Sequence, residues 1–448
     1  MSPRIFCSGF LSRHSAKALW VLFLSCDAMS IYTHTKSFVA SATVLVCASV
    51  LAETPEALVK QALQRNPELN FFVAEIAAAK GTLRTAGTVR NPEFNSEVGY
   101  KNSRESSGGM SGSGAVLSLS VSQPIEYPGR IALRKAIANH DLALAELHLQ
   151  QFRLTLAARV RSLAFASTSA QERTRAVQGV ASRTQALDDV LKERPLAGVA
   201  PQLEAQIISG NLLAFQRQER ESILAEKTIA TELNQLCGRS ADAALTVNGG
   251  LVVFSTLSVP KLVDAARSNA FDIRIRQVEL AQQGFKVALS KNERFPAIAV
   301  GPFYSLENAI DREQRVGLGF SVPLPLWDRN LGNIASSKAR QQQAEASLAQ
   351  TEREVEKRVA QAAATLESKR AEIQTWSNGA MGKLREASDL ADRNYRLGAI
   401  PLTIYIEIQK QYLEAISSFS DAQKDGLEAA QTLEILTGRK LYREEPQR

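Results

Sequence analysis

Along most of the chain, apolar positions recur at helical spacing, and in four short stretches they alternate instead. Val355, Val359, Ala362, Leu366 and Ile373 step by four, three, four and seven residues, which places them on one helical face. Prolines mark the helix limits. None occurs between Pro128 and Pro195, between Pro201 and Pro260, between Pro325 and Pro401, or from there to Pro446. The spacing predicts helices over 68–90, 130–194, 202–238, 274–294, 330–397 and 402–438. At 1.5 Å per residue the helix over 130–194 would run roughly 95 Å, with roughly 55 Å for 202–238 and roughly 35 Å for 68–90. The two shorter pieces sum to about the long one, as expected for a long helix flanked by two short ones stacked end to end.

The alternating stretches lie between the short and long helices. Phe94, Val98 and Tyr100 alternate with Asn95, Glu97, Gly99 and Lys101, and Ala115, Leu117, Leu119 and Val121 alternate with Val116, Ser118, Ser120 and Ser122. Later, Val316, Leu318, Phe320 and Val322 alternate with Arg315, Gly317, Gly319 and Ser321, while the stretch before them alternates less cleanly. Strands are predicted near 93–103, 114–123, 296–306 and 315–323. Taken alone, such segments fit either a membrane β-barrel or hairpins half-buried on a soluble core. Edges separate the two readings. Four strands cannot close around a lumen, and an open sheet in lipid would leave edge groups unpaired. A barrel would therefore need several chains.

The plan occurs twice. Leu196-Ala197-Gly198-Val199-Ala200-Pro201 is echoed by Leu397-Gly398-Ala399-Ile400-Pro401. In each, glycine supplies a left-handed stop and proline restarts a helix. Gly179 pairs with Gly379, and Leu233 to Arg239 pairs with Leu433 to Arg439. A constant offset through separate landmarks marks a tandem duplication. The expected organisation is a first repeat at 53–240, a linker at 241–259, a second repeat at 260–440 and a tail at 441–448.

Ahead of the repeats, the apolar run from Ser37 to Ala52 follows Lys36 and suits a secretory signal better than a membrane-spanning helix. Met29 sits where that signal should begin. Residues 1–28 thus read as an upstream over-extension and 29–52 as the signal peptide. A lipidation signal needs a small residue before the cysteine, whereas Val46 precedes Cys47.

The 448 residues carry a net charge of +7. Basic and acidic side chains interleave, as in Glu352 to Arg358, which is the pattern of a solvated helix face and argues against nucleic-acid binding. Cys7, Cys26 and Cys47 fall in the leader, so only Cys237 remains in the body. No nucleotide-binding, metalloprotease or serine-hydrolase motif is present, and no catalytic, cofactor or metal residue is assigned. His140 and His148 share a helix and read as packing residues.

The duplicated helix–hairpin–helix plan, the paired glycine turns and the paired Leu-x-Gly-Arg ends resemble the TolC-like family of outer-membrane efflux ducts across residues 53–440. Ser122-Gln-Pro-Ile-Glu-Tyr-Pro-Gly-Arg130 is similar to the strand-to-helix turn of its cobalt–zinc–cadmium resistance branch. The resemblance implies a mainly α fold with a membrane β-barrel. In it a homotrimer closes twelve strands in outer-membrane lipid and continues as a periplasmic helical tunnel. It implies a passive duct, not an enzyme, serving a proton-driven inner-membrane transporter through a periplasmic adaptor. The adaptor would dock at the turns of Gly198, Pro201, Gly398 and Pro401. It further implies a gate at the tip: Tyr395 stands at the locking tyrosine, Glu204 at its acidic partner and Glu407 in an acidic ring. Ile400 and Ile404 depart from the family's arginine and acid, which implies a simpler lock. Heavy-metal cations are the expected cargo. Drug or organic-solute efflux and a soluble long-helix scaffold are the alternatives.

Overall fold

The computed structural model describes residues 53–445 except 105, 107–109, 194–198, 256, 310 and 378. The leader, with its expected signal and over-extension, lies outside the described residues, as does Gly198.

Each half opens with a short helix. α1 (Pro55–Arg65) and α2 (Glu68–Ala86) precede the first hairpin, β1 (Glu93–Arg104) and β2 (Met110–Ile125). The long α3 (Arg130–Glu193) and α4 (Val199–Leu236) follow, then β3 (Leu251–Phe254). The second half runs α5 (Val259–Asn269), α6 (Phe271–Asn292), β4 (Ile298–Asn308), β5 (Arg312–Ser321), α7 (Leu331–Ser377), α8 (Ala380–Arg396), α9 (Leu402–Thr437) and β6 (Tyr442–Glu445).

Three departures from the sequence reading stand out. The helix expected over 330–397 is two helices, because Gly379 takes a left-handed φ of 89° ahead of α8. Its counterpart Gly179 stays inside the unbroken α3. The stretches expected as linker and tail contain β3 and β6, which pair antiparallel from Leu251–Glu445 to Phe254–Tyr442. Val252, Phe254 and Tyr442 are thereby buried. The short helices α1 and α5 were not anticipated. Leu58 and Ala62 of the first, and Leu262 and Ala266 of the second, are almost wholly buried.

The core is split among the helices rather than gathered in one mass. Val355, Val359, Ala362, Leu366 and Ile373 are all buried, against Leu427, Leu433 and Leu436 of α9 and Leu262 of α5. In the first half, Val160 and Ala164 of α3 meet Leu58, Ala62 and Leu233. A third cluster lies where α3, α4, α8 and α9 meet.

The duplication is visible in the helix ends. Gly238 (φ 67°) and Gly438 (φ 71°) both stop their helices in the left-handed region. Asn66 Nδ2 donates to the Leu236 carbonyl at 3.2 Å, and Asn269 Nδ2 donates to the Thr437 carbonyl at 3.1 Å. Each short opening helix thus satisfies an orphan carbonyl at the end of its half's last helix.

Candidate functional site

The four long strands form one antiparallel sheet in the order β1-β2-β4-β5. Directly opposed residues of neighbouring strands share a face, so the register assigns the faces. Val98, Leu117 and Leu306 are opposed in series, as are Leu119, Tyr304 and Val316. Phe94 lies opposite Val121, and Phe320 opposite Val300. The seven residues Phe94, Val98, Leu117, Leu119, Val316, Leu318 and Phe320 therefore line one face. Val98, Val316, Leu318 and Phe320 are each about four-fifths exposed within the chain, a solvation that water does not favour.

The other face carries Glu97, Lys101, Ser118, Ser120, Ser305, Glu307 and Arg315. Lys101 pairs with Glu307 across it. Gly317 belongs to this face, yet it lies under the Phe303 ring, where an added Cβ would come within 2.7 Å. Unlike Ser118 and Ser120, it cannot accept a side chain unless that ring moves. β1 and β5 have one unpaired side each, so the sheet is open at both edges. Among the described residues no helix is long and apolar enough to cross a membrane.

The turn from sheet to α3 is tied by charge. The side chain of Glu126 is buried, receives both terminal nitrogens of Arg134 at 2.7 Å, and meets Arg90 at 3.2 Å. Arg130 donates to Asn292 Oδ1 at 3.0 Å and to the carbonyls of Asn292 and Phe295 at 3.1 and 2.6 Å. Tyr127 stacks on Phe295 with ring centroids 4.3 Å apart. The two halves of the chain are thus locked together where strands give way to helices.

At the far end, Gly398 (φ 72°) closes the turn between α8 and α9. The Ala399 amide donates to the Asn394 carbonyl at 2.8 Å and the Gly398 amide to that of Tyr395 at 2.9 Å, which satisfies two of the terminal carbonyls of α8. Pro401 is the extended cap before α9 rather than part of its first turn. Pro201, by contrast, lies inside the first turn of α4.

Of the residues expected at a gate, Tyr395 is half-buried and stacks on Tyr405 with centroids 5.1 Å apart. Glu204 is exposed on α4. Glu407 is exposed on α9 and accepts from Gln411 Nε2 at 2.9 Å.

Several polar groups behind this turn escaped the sequence reading. Ser388 and Gln409, both fully buried, hydrogen-bond reciprocally at 2.8 and 3.0 Å and fasten α8 to α9. The readable signal was Gln409 inside the apolar stripe Leu402, Tyr405, Ile406 and Leu413. Asp188 is buried on α3, where it accepts from Ser209 of α4 and pairs with Lys192 at 2.6 Å. Burial alone would raise its carboxyl, but hydrogen bonds from Lys192 and Ser209 outweigh that and hold it below the ordinary carboxylate value. A lowered folded-state value means that the charged carboxylate adds stability above the ordinary range of about 4. That stability is lost as pH falls through the folded value. Asp188→Asn should therefore lower the melting midpoint near neutrality, on the order of 2 °C for a chain this large. The gap to wild type should close in acid. A midpoint series from pH 7 to pH 3 checks this.

Among the described residues no cluster of three or more His, Cys, Asp or Glu could hold a metal ion. His140 packs against Phe285, with ring centroids 5.3 Å apart.

The same architecture occurs in solved outer-membrane channels. The CmeC outer membrane channel of Campylobacter jejuni superposes with a TM-score of 0.68 at 15% identity, covering 86% of this chain and 85% of that one. CusC, whose crystal structures concern transmembrane channel formation, gives 0.67 at 17% identity, covering 87% and 92%. The fold is thus that of an outer-membrane channel protein. The family profile described as outer membrane efflux protein matches residues 58–239 and 262–439, and the chain belongs to that family. A relative from Cupriavidus metallidurans, the cobalt-zinc-cadmium resistance protein CzcC, is 22% identical over 394 residues, spanning 86% of this chain and 90% of its own. The protein is accordingly an outer membrane efflux protein by family.

Proposed function

We propose that three copies of this chain close a twelve-stranded barrel in the outer membrane, and that the long helices continue it into the periplasm as a tunnel. The observation that carries this reading is the open sheet: one exposed apolar face, one polar face and two unpaired edges. Lipid tolerates such a sheet only when its edges are closed by further copies. The polar face then lines the lumen. The duct is passive. A proton-driven inner-membrane transporter supplies the work, and a periplasmic adaptor docks on the turns holding Gly198, Pro201, Gly398 and Pro401. Heavy-metal cations are the cargo this reading favours, on the strength of the likeness to a protein named for cobalt, zinc and cadmium resistance.

At the tip, Tyr395 and Glu204 form the lock and three Glu407 carboxylates ring the axis. Tyr395→Phe keeps the ring that stacks on Tyr405 and removes the hydroxyl on which the lock depends. A charge-assisted hydrogen bond contributes about 1.5–3 kcal/mol, and threefold symmetry would repeat it. Tyr395→Phe combined with Glu204→Gln should raise single-channel conductance in planar bilayers by severalfold. Glu407→Gln should reduce cation selectivity. Unchanged conductance and selectivity would leave these as solvated charges. Native mass analysis in mild detergent should give a trimer, and a monomer would defeat the barrel.

A further inference from the structure

The internal duplication specifies how one copy meets the next. α1 (Pro55–Arg65) returns as α5 (Val259–Asn269) at a step of 204 residues, and Pro92 returns as Pro296 at the same step. From each hairpin turn to the start of the long helix the step is 201. Pro124 returns as Pro325, the α3 start at Arg130 as the α7 start at Leu331, and left-handed Gly129 (φ 86°) as left-handed Asn330 (φ 61°). The structure contains its own check of these steps. They carry the β1·β2 pairs Val98–Leu117 and Asn95–Ser120 onto Pro302–Leu318 and Ala299–Ser321, which are both observed β4·β5 pairs.

Applied to the β2·β4 register, the same steps generate a pairing that no single chain can make, between β5 and the β1 of another copy. Ser120–Phe303 becomes Ser321–Gly99, Leu119–Tyr304 becomes Phe320–Tyr100, and Ile125–Ile298 becomes Leu326–Phe94. The faces agree throughout. Phe320 and Tyr100 are both apolar-face residues, and Ser321 and Gly99 both belong to the polar face.

We infer that the seam between copies has this register, and that β5 there continues past Ser321 to Leu326. This rests on the closed-barrel reading above and adds its geometry. β2 reaches Ile125, the counterpart of Leu326, because β4 lies beside it. β5 stops at Ser321 with its outer side unpaired. The segment that would be recruited is apolar and uncovered, with Leu324 and Leu326 71% and 62% exposed. So is its proposed facing strand, with Phe94 and Tyr100 66% and 71% exposed. Pro325 does not forbid the extension, since its counterpart Pro124 sits within β2 opposite Ala299.

Cysteine cross-linking tests the register. In full-length protein whose leader cysteines are replaced by alanine, and with buried Cys237 retained, Ser321→Cys is combined in turn with Glu97→Cys, Gly99→Cys and Lys101→Cys. Oxidation in membranes should join copies through the Gly99→Cys combination at least five times more than through either neighbour. Gly319→Cys with Lys101→Cys, an opposed pair in the same register, should link equally well and guards against a poorly folded variant. If native mass analysis shows trimers but Glu97→Cys or Lys101→Cys links best to Ser321→Cys, the register is overturned and the barrel stands. If no oligomer forms in any variant or in wild type, the closed-barrel reading itself falls, and this inference with it.

Discussion

Leu119→Arg should abolish most membrane assembly, whereas Ser120→Arg, one residue further along the same central strand, should leave it nearly intact. Leu119 lies between Ser96 and Tyr304 on the apolar face, and Ser120 between Asn95 and Phe303 on the polar face. A charge held on the lipid side near mid-membrane costs about 2–4 kcal/mol per site. A trimer would carry three such charges. On the polar face an arginine reaches water and can lie along the Phe303 ring, a favourable cation–aromatic arrangement. Heat-resistant oligomer in outer-membrane fractions, compared between the two variants, is the measurement. Equal assembly would reverse the assignment of faces.

The second large effect comes from a duplicated pair whose members are not equivalent. Gly238→Ala should destabilise the protein more than Gly438→Ala. Both positions hold left-handed φ, for which a side chain costs about 1–2 kcal/mol. At Gly438 the nearest atom to an added Cβ is 3.9 Å away, so that cost is all. At Gly238 the Cβ would come within 2.8 Å of the Arg65 carbonyl oxygen, which is backbone and cannot swing aside. Relief would push α1 away from α4 and expose Leu58 and Cys237, both fully buried. Melting midpoints at one fixed heating rate should fall in the order wild type, Gly438→Ala, Gly238→Ala. Equal losses would mean that the close approach at Arg65 is unimportant.

Local signals decided how much of this could be read from the sequence. The expected spans of α3, α4, α6 and α9 fall within three residues of their observed limits; proline-free intervals marked α3 and the starts of α4 and α9, since proline is excluded from helix interiors, and the internal repeat placed α6. Strand faces were legible because alternation at period two is imposed by the pleat alone. The β3·β6 sheet was not. Its strands are four residues each and pair across nearly two hundred positions, so neither segment carries its partner's signal. The break before α8 was half visible. Gly179 and Gly379 were recognised as a pair, but only the second follows an asparagine, at Asn378, and only the second leaves the helix. The residues proposed for the gate were singled out by position alone, and their setting was not legible. Nothing in the spacing of Tyr395 and Tyr405 says that the rings stack, since that depends on the turn at Gly398 folding α9 back along α8.

The left-handed residue at Gly379 also makes the two halves mechanically unequal. α3 is a continuous rod of 64 residues, while its counterpart is a rod of 47 joined to a short one of 17. The short rod is fastened to α9 by Ser388 and Gln409. In a ring of three copies, stiff and jointed long helices would alternate, and a sixfold repeat in sequence becomes threefold in compliance. Outward strain at the tip would then gather at three joints about 25 Å from the turn, leaving the intervening rods as fixed staves.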